Sequence, residues 1–217
     1  MSYKTILNEA TYEYEEKKSV FIGYIKRINN ENSAREFIEK IKHKHSDARH
    51  NVYAYTLGKD MLLQRYTDDG EPQGTAGIPI IGVIKNNELK DVVIVVTRYF
   101  GGVLLGVGGL TRAYVNAASG AVKNSVIVYK VLGNYLKIKV KYDLVGKLQY
   151  YFKENDINIH NIDYEDNVIF HIRCEENQVE SIKTNIINIS SNNFNLDISD
   201  KIMYFKNKNE FYLENEI

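Results

Sequence analysis

Apolar and polar residues alternate along Tyr3 to Tyr14 and again along Ser19 to Ile28, where Val20, Ile22 and Tyr24 share a face. A period of two marks a pleated strand with one face buried, so the chain is expected to open with two strands joined at Glu15 to Lys18. The period then lengthens. Ala34, Phe37, Ile38 and Ile41 form one apolar stripe at helical spacing, which predicts a helix over Asn32 to Lys44. Ser33 and Glu36 have the spacing of a capping box, and the Lys-His-Lys-His end suits a helix C-terminus.

Val52 to Leu57 reads as a strand and Met61 to Tyr66 as its partner, with a turn at 58–60. Residues 67–77, TDDGEPQGTAG, read as a loop, and Ile78 to Asn87 as a short helix. Asp91 to Thr97 is β-branched after its first residue, the texture of a central strand buried on both faces. Arg98 to Tyr114 follows, with five of the fourteen glycines, and then a helical stretch from Leu110 to Lys123.

The texture changes after Lys130, and Gly133 with Asn134 reads as a boundary, giving domains at 1–132 and 133–217. Tyr135 to Tyr142 is expected as a strand and Leu144 to Asn155 as a helix capped by Asp143. Ile157 to Tyr164 and Val168 to Cys174 read as strands, Glu176 to Ser190 as a helix, and Leu196 to Phe205 as a final strand. That order, βαββαβ, is the ferredoxin-like split motif. Residues 206–217 read as a polar tail.

Composition changes this picture only by exclusion. The formal net charge is zero, so polyanion binding would need a local basic patch. A single cysteine, Cys174, excludes an intrachain disulfide and a cysteine-rich metal site and fits a reducing interior. The charged N-terminus does not read as a secretory signal, and no apolar run reaches bilayer length, so a cytoplasmic protein without membrane partners is expected.

The unusual residues cluster before residue 115. Gly101, Gly102, Gly106, Gly108 and Gly109 read as a glycine loop between strand and helix, bracketed by Arg98 and Arg112. Such a loop either brings backbone N–H groups and a helix N-terminus to an anionic ligand, or is a tight turn needing positive φ and close packing. Gly108 in particular is expected to need positive φ, and Arg98 to matter more for function than for stability. Asp68, Asp69 and Glu71 can serve as acid and base or bind a cation, or can spend their oxygens on turn and helix-cap hydrogen bonds. A buried acid paired with Arg98 would be a clamp between the two loops. His50 opens the VYAY strand and is either a site residue or a hydrogen-bonded structural histidine. His43, His45 and His50 with Asp47 lack metal-site spacing, and no metal or other cofactor is expected. No GxSxG, HExxH or Walker frame is present, and Thr75, Thr97 and Thr111 are hydroxyls without an assigned base.

HNVYAY at 50–55, DDGEPQGTAGIPI at 68–80 and VVTRYFGGVLLGVGGLTRAY at 95–114 together resemble the YigZ/IMPACT family. The blocks are long, ordered and correctly spaced, and the resemblance runs from Ser19 to Ala121. It implies an α+β protein of two domains. The first would have the fold of the second domain of a ribosomal small-subunit protein, with a left-handed βαβ crossover. The second would be ferredoxin-like, similar to a domain of elongation factor G. Eukaryotic relatives restrain a translation-regulating kinase by competing for its activator.

The reading favoured on these grounds is a translation-associated regulator, leaning non-enzymatic, that binds RNA, the ribosome or a translation factor. Its candidate site residues are His50, Asp68, Asp69, Glu71, Thr75, Arg98, Tyr99, Gly101, Gly102, Gly106, Gly108, Gly109 and Arg112. Arg65 and Lys123 would add to a phosphate-contacting patch, and Tyr99, Phe100 and Tyr114 would be available for base stacking. The alternatives are an enzyme or sensor for a small phosphorylated ligand at the same loops, and a protein-interaction module.

Overall fold

The computed structural model describes residues 2–58 and 60–217. They form two compact units, Tyr3–Val128 and Tyr129–Ile217.

In the first unit, β1 (Tyr3–Ile6) and β2 (Ala10–Glu16) replace the single long strand expected there. The break is held by Leu7 N–H donating to the Val126 carbonyl and Val126 N–H donating to Asn8 Oδ1. Then come β3 (Ser19–Arg27), α1 (Glu31–Lys44), β4 (His50–Leu57) and β5 (Leu63–Thr67). They are followed by α2 (Gly77–Asn86), β6 (Val92–Tyr99) and α3 (Gly106–Asn124). The sheet runs β2-β3-β6-β4-β5, antiparallel throughout. β6 lies at the centre between β3 and β4, as its β-branched sequence demands.

Alternation along the strands builds two cores. Val92, Ile94 and Val96 face α2 and α3 with Phe21, Ile25, Val52 and Ala54. Val93 and Val95 face the other way, onto the Ala34, Phe37, Ile38 and Ile41 stripe of α1. The capping box of α1 is not Ser33–Glu36. Asn30 is the cap, its Oδ1 accepting from Ser33 N–H, while Ser33 Oγ accepts from Asn30 N–H. An asparagine one turn earlier satisfies the same orphan donors, so Glu36 is not needed.

The second unit contains β7 (Ile127–Val140), α4 (Val145–Glu154), β8 (Ile159–Tyr164) and β9 (Val168–Glu175). It continues with α5 (Val179–Ser190), β10 (Asn195–Ile198), β11 (Ile202–Asn207) and β12 (Glu210–Tyr212). The order β10-β7-β9-β8, all antiparallel, is the ferredoxin-like sheet expected from the sequence. α4 and α5 cover one face through Leu148, Phe152, Ile182 and Ile186. Gly133 sits inside β7, paired with Glu175, and a Cβ there would fall 2.3 Å from the Cys174 carbonyl oxygen.

Three local readings differ. Asp143 lies in a short 3-10 turn, and α4 starts without a side-chain cap. The expected last strand is two, because Ser199 takes over both backbone bonds of Tyr135. Its Oγ accepts from Tyr135 N–H at 2.9 Å and its N–H donates to the Tyr135 carbonyl at 2.9 Å. The polar tail is ordered structure: β11 pairs with β12, and Arg173 binds the carboxylate of Glu216.

Candidate functional site

The loop 67–77 meets the end of β6 and the middle of α3 at one carboxylate. Glu71 Oε1 accepts from Arg98 Nη1 at 2.7 Å and from the Tyr114 hydroxyl at 2.7 Å. The side chains of Arg98 and Glu71 are almost wholly buried. The guanidinium is flanked by the rings of Phe21 and Phe100, with Cζ 5.3 and 5.6 Å from their centroids. Burial first, and the Glu71 charge second, push the Tyr114 phenol far above its ordinary range. A charge pair enclosed in this way holds two loops together and leaves no free nucleophile. It is the clamp that the sequence left open as one outcome.

The two aspartates serve the backbone. Asp68 accepts from the N–H groups of Gly74, Ala76 and Gly77 at 2.7, 3.0 and 2.8 Å, capping α2 from outside the helix. Burial opposes its charge, but these three donors outweigh it and hold the carboxyl below its ordinary value. Asp69, with φ of 44°, accepts from Asn51 N–H at 2.6 Å. Thr75 spends its hydroxyl on the Pro72 carbonyl.

His50 Nδ1 donates to the Asp69 carbonyl at 2.8 Å, since a carbonyl can only accept. Its Nε2 lies 4.0 Å from Glu71 Oε1. His50 therefore joins the clamp. His45 does not: its ring nitrogens contact Tyr24 and Tyr99 hydroxyls at 2.6 and 2.8 Å, beyond the opposite face of the sheet. Tyr99 belongs there too, donating to Asp47 at 3.1 Å. Adjacent residues of a strand point to opposite faces, so Arg98 and Tyr99 cannot serve one surface site.

The glycine loop is shorter than its sequence suggests. Gly106, Gly108 and Gly109 belong to α3. Gly101 packs on the β2–β3 turn so closely that a Cβ would sit 2.0 Å from the carbonyl carbon of Lys18. Gly102 and Gly106 have φ of 82° and 68°, whereas Gly108 has no positive φ. α3 begins with neither a side-chain cap nor an acidic residue in its first turn. Among the described residues its first N–H groups have no side-chain cap, and they lie at the positive end of a helix dipole.

Around that helix start the surface is basic and apolar together. Arg112 is exposed, one turn beyond Gly108, and forms no ion pair or hydrogen bond among the described residues. Lys17 and Lys18 are exposed in the turn against Gly101. Phe100, Val103, Leu104 and Val107 expose large apolar area, 84% of Leu104. Lys123 lies roughly 25 Å away along the helix, and Arg65, on β5, leans toward Glu31 of α1. Arg65, Arg98 and Lys123 therefore leave the expected patch. Lys17 and Lys18 enter it, a pair the sequence showed only as a turn.

No described helix is long and apolar enough to cross a membrane. Residues 17–122 match the family model of the Impact N-terminal domain, and residues 138–193 match that of a domain of unknown function. The chain is 39% identical to the IMPACT family member YvyE of Bacillus subtilis over 83% of each protein. It is 29% identical to the IMPACT family member YigZ of Escherichia coli, over 84% of this chain and 90% of that one. A protein IMPACT homolog of Dictyostelium discoideum is 35% identical over 42% of this chain and 27% of its own length. A solved crystal structure of a hypothetical protein superposes with a TM-score of 0.59 at 28% identity, over 90% of this chain and 96% of that one.

Proposed function

Because the chain belongs to the IMPACT family, we propose that it is a translation-associated regulator that binds RNA or the ribosome at the start of α3. The observation that carries this reading is the uncapped N-terminus of α3 beside an exposed, unpaired Arg112. Helix N–H donors and a guanidinium together bind phosphate, and Lys17 and Lys18 extend the positive surface from the far side of Gly101. Phe100 presents half its surface for stacking. The Glu71–Arg98 clamp fixes the loop rather than performing turnover, which supports a binding role.

The test is binding of the full chain to ribosomes and short RNAs across a salt series, with Arg112→Ala and Lys18→Ala alongside. Binding should weaken with salt, and each substitution should weaken it further and lower the salt slope by about one. No binding at low salt would overturn the reading.

A second reading is a protein partner in translation control, favoured by the exposure of Leu104 and Val107 at 84% and 67%. Exposed aliphatic side chains gain more from an apolar protein surface than from phosphate. A partner lost on Leu104→Ser but insensitive to salt and to Arg112→Ala would select it.

A further inference from the structure

The second unit has a cavity of about 390 Å³ between the start of β8 and the β11–β12 hairpin, floored by Arg173. Arg173 is 8% exposed. It projects from β9 on the face opposite the α4–α5 core, and its Cζ lies 5.8 Å from the centroid of the Tyr204 ring. Its Nη1 donates to Glu216 Oε2 at 2.7 Å and to the Phe211 carbonyl at 2.8 Å, and its Nη2 donates to Glu216 Oε1 at 2.6 Å. Its Nε is buried without a partner. The Nη1–Nη2 edge of this fork is thus a bidentate carboxylate seat that faces the cavity and is filled by Glu216.

The surrounding polar groups divide sharply. His171 is already saturated, Nδ1 against the Tyr135 hydroxyl at 2.8 Å and Nε2 against Asp163 at 2.7 Å. His160 lines the cavity, and burial together with the charge of Arg173 lowers its pKa, so it adds no second positive charge there. Asn158 and Asn209 offer amides at the rim, and Ile159, Phe211 and Tyr212 offer apolar walls. Glu216 is the carboxylate bound to Arg173, and its side chain is one-third exposed at the mouth of the cavity; Glu210 also lines the cavity, its carboxylate accepting from the Tyr212 hydroxyl.

We propose that this cavity is a binding site for a small organic carboxylate with a flat apolar body, and that Glu216 occupies the anion seat in its absence. The ligand's carboxylate takes the bidentate place of Glu216 on Arg173, and its body lies along Phe211 and Tyr212. Binding therefore requires the Glu216 side chain to swing out, and the resident carboxylate acts as an internal competitor. This site is independent of the surface on α3.

The test uses benzoate as the probe and benzamide as its uncharged control. It follows the guanidinium nitrogen resonances of Arg173 by NMR in the full chain. Benzoate should shift the Arg173 Nη resonances, and benzamide should not. Glu216→Gln keeps the side-chain shape but removes the competing charge, so it should bind benzoate about tenfold more tightly than the parent. Arg173→Lys keeps the charge but not the fork, and should bind benzoate more weakly than the parent. Equal benzoate affinity in the parent and Glu216→Gln would overturn the proposal. So would a Glu216→Gln protein that melts earlier and still ignores benzoate, because the pair would then be a staple for the last strand.

Discussion

Arg98 Nη1 meets Glu71 Oε1 at 2.7 Å inside the first unit, where their side chains are only 8% and 4% exposed. Removing one member of such a pair strands the other as a buried charge. Arg98→Ala should therefore cost on the order of 3 kcal/mol of stability, reversing the expectation that it would act mainly on function. Urea denaturation checks this, and the double substitution Glu71→Gln with Arg98→Met should recover much of the loss. Equal stability of Arg98→Ala and the parent would remove the clamp from the account.

The glycines of the loop should separate cleanly. A Cβ on Gly101 would fall 2.0 Å from backbone of Lys18, so Gly101→Ala should destabilise the unit severely. Gly108 is helical, and the nearest atom to its Cβ would be Arg112 Nη1 at 3.7 Å. Gly108→Ala should leave stability unchanged or raise it by up to about 1 kcal/mol. Thermal melts of the two variants measure this. If α3 receives phosphate, Gly108→Ala should also weaken RNA binding, because the methyl group covers the open helix start.

Asp68 gives the stability of the first unit an acid limb. Its folded pKa lies below the ordinary carboxylate value, against burial, because three backbone N–H groups favour the charged form. The charged form is the one stabilised. The contribution is therefore complete above the unfolded value and disappears as pH falls through the lower folded value. Asp68→Asn should cost about 1 kcal/mol at neutral pH and converge with the parent at the acid end. Paired pH titrations of the melting temperature would show that convergence or its absence.

Cys174 reports on the second unit. Burial pushes its thiol up to about 12, and the side chain is buried in the α4–α5 core. At about pH 8 it should resist iodoacetamide in the folded protein and react only as β7 and β9 separate. Labelling followed by mass spectrometry against denaturant should trace the same transition as circular dichroism. Rapid labelling without denaturant would show that this core opens locally.

Period carried most of the fold. The β-branched run at 92–96 announced the central strand, and the alternating and helical stretches after Lys130 announced the split βαββαβ order. Element ends were less legible, because caps depend on one residue. Asn30 outcompetes Ser33 at α1, and glycines hid the first turn of α3. At the site, the sequence offered Glu71 and Arg98 as partners but could not choose between clamp and ligand, since burial decides that. The separation of Tyr99 from Arg98 was legible in principle from strand alternation. The Arg173–Glu216 pair was not. Its members lie 43 residues apart, and one sits in a segment that looks like a polar tail.

β3 and β4 never pair with each other; each is bonded only to β6 on its inner side. A ribosome making this chain at about 5–20 residues per second delivers both apolar strands well before the strand that joins them. Until Tyr99 has emerged, the sheet has no middle, and β2–β3 and β4–β5 can exist only as separate hairpins with open apolar edges. Completion of the first unit is thus a late insertion with costly loop closure, and any stall in synthesis before β6 leaves a nascent chain primed to pair with a neighbour's strands.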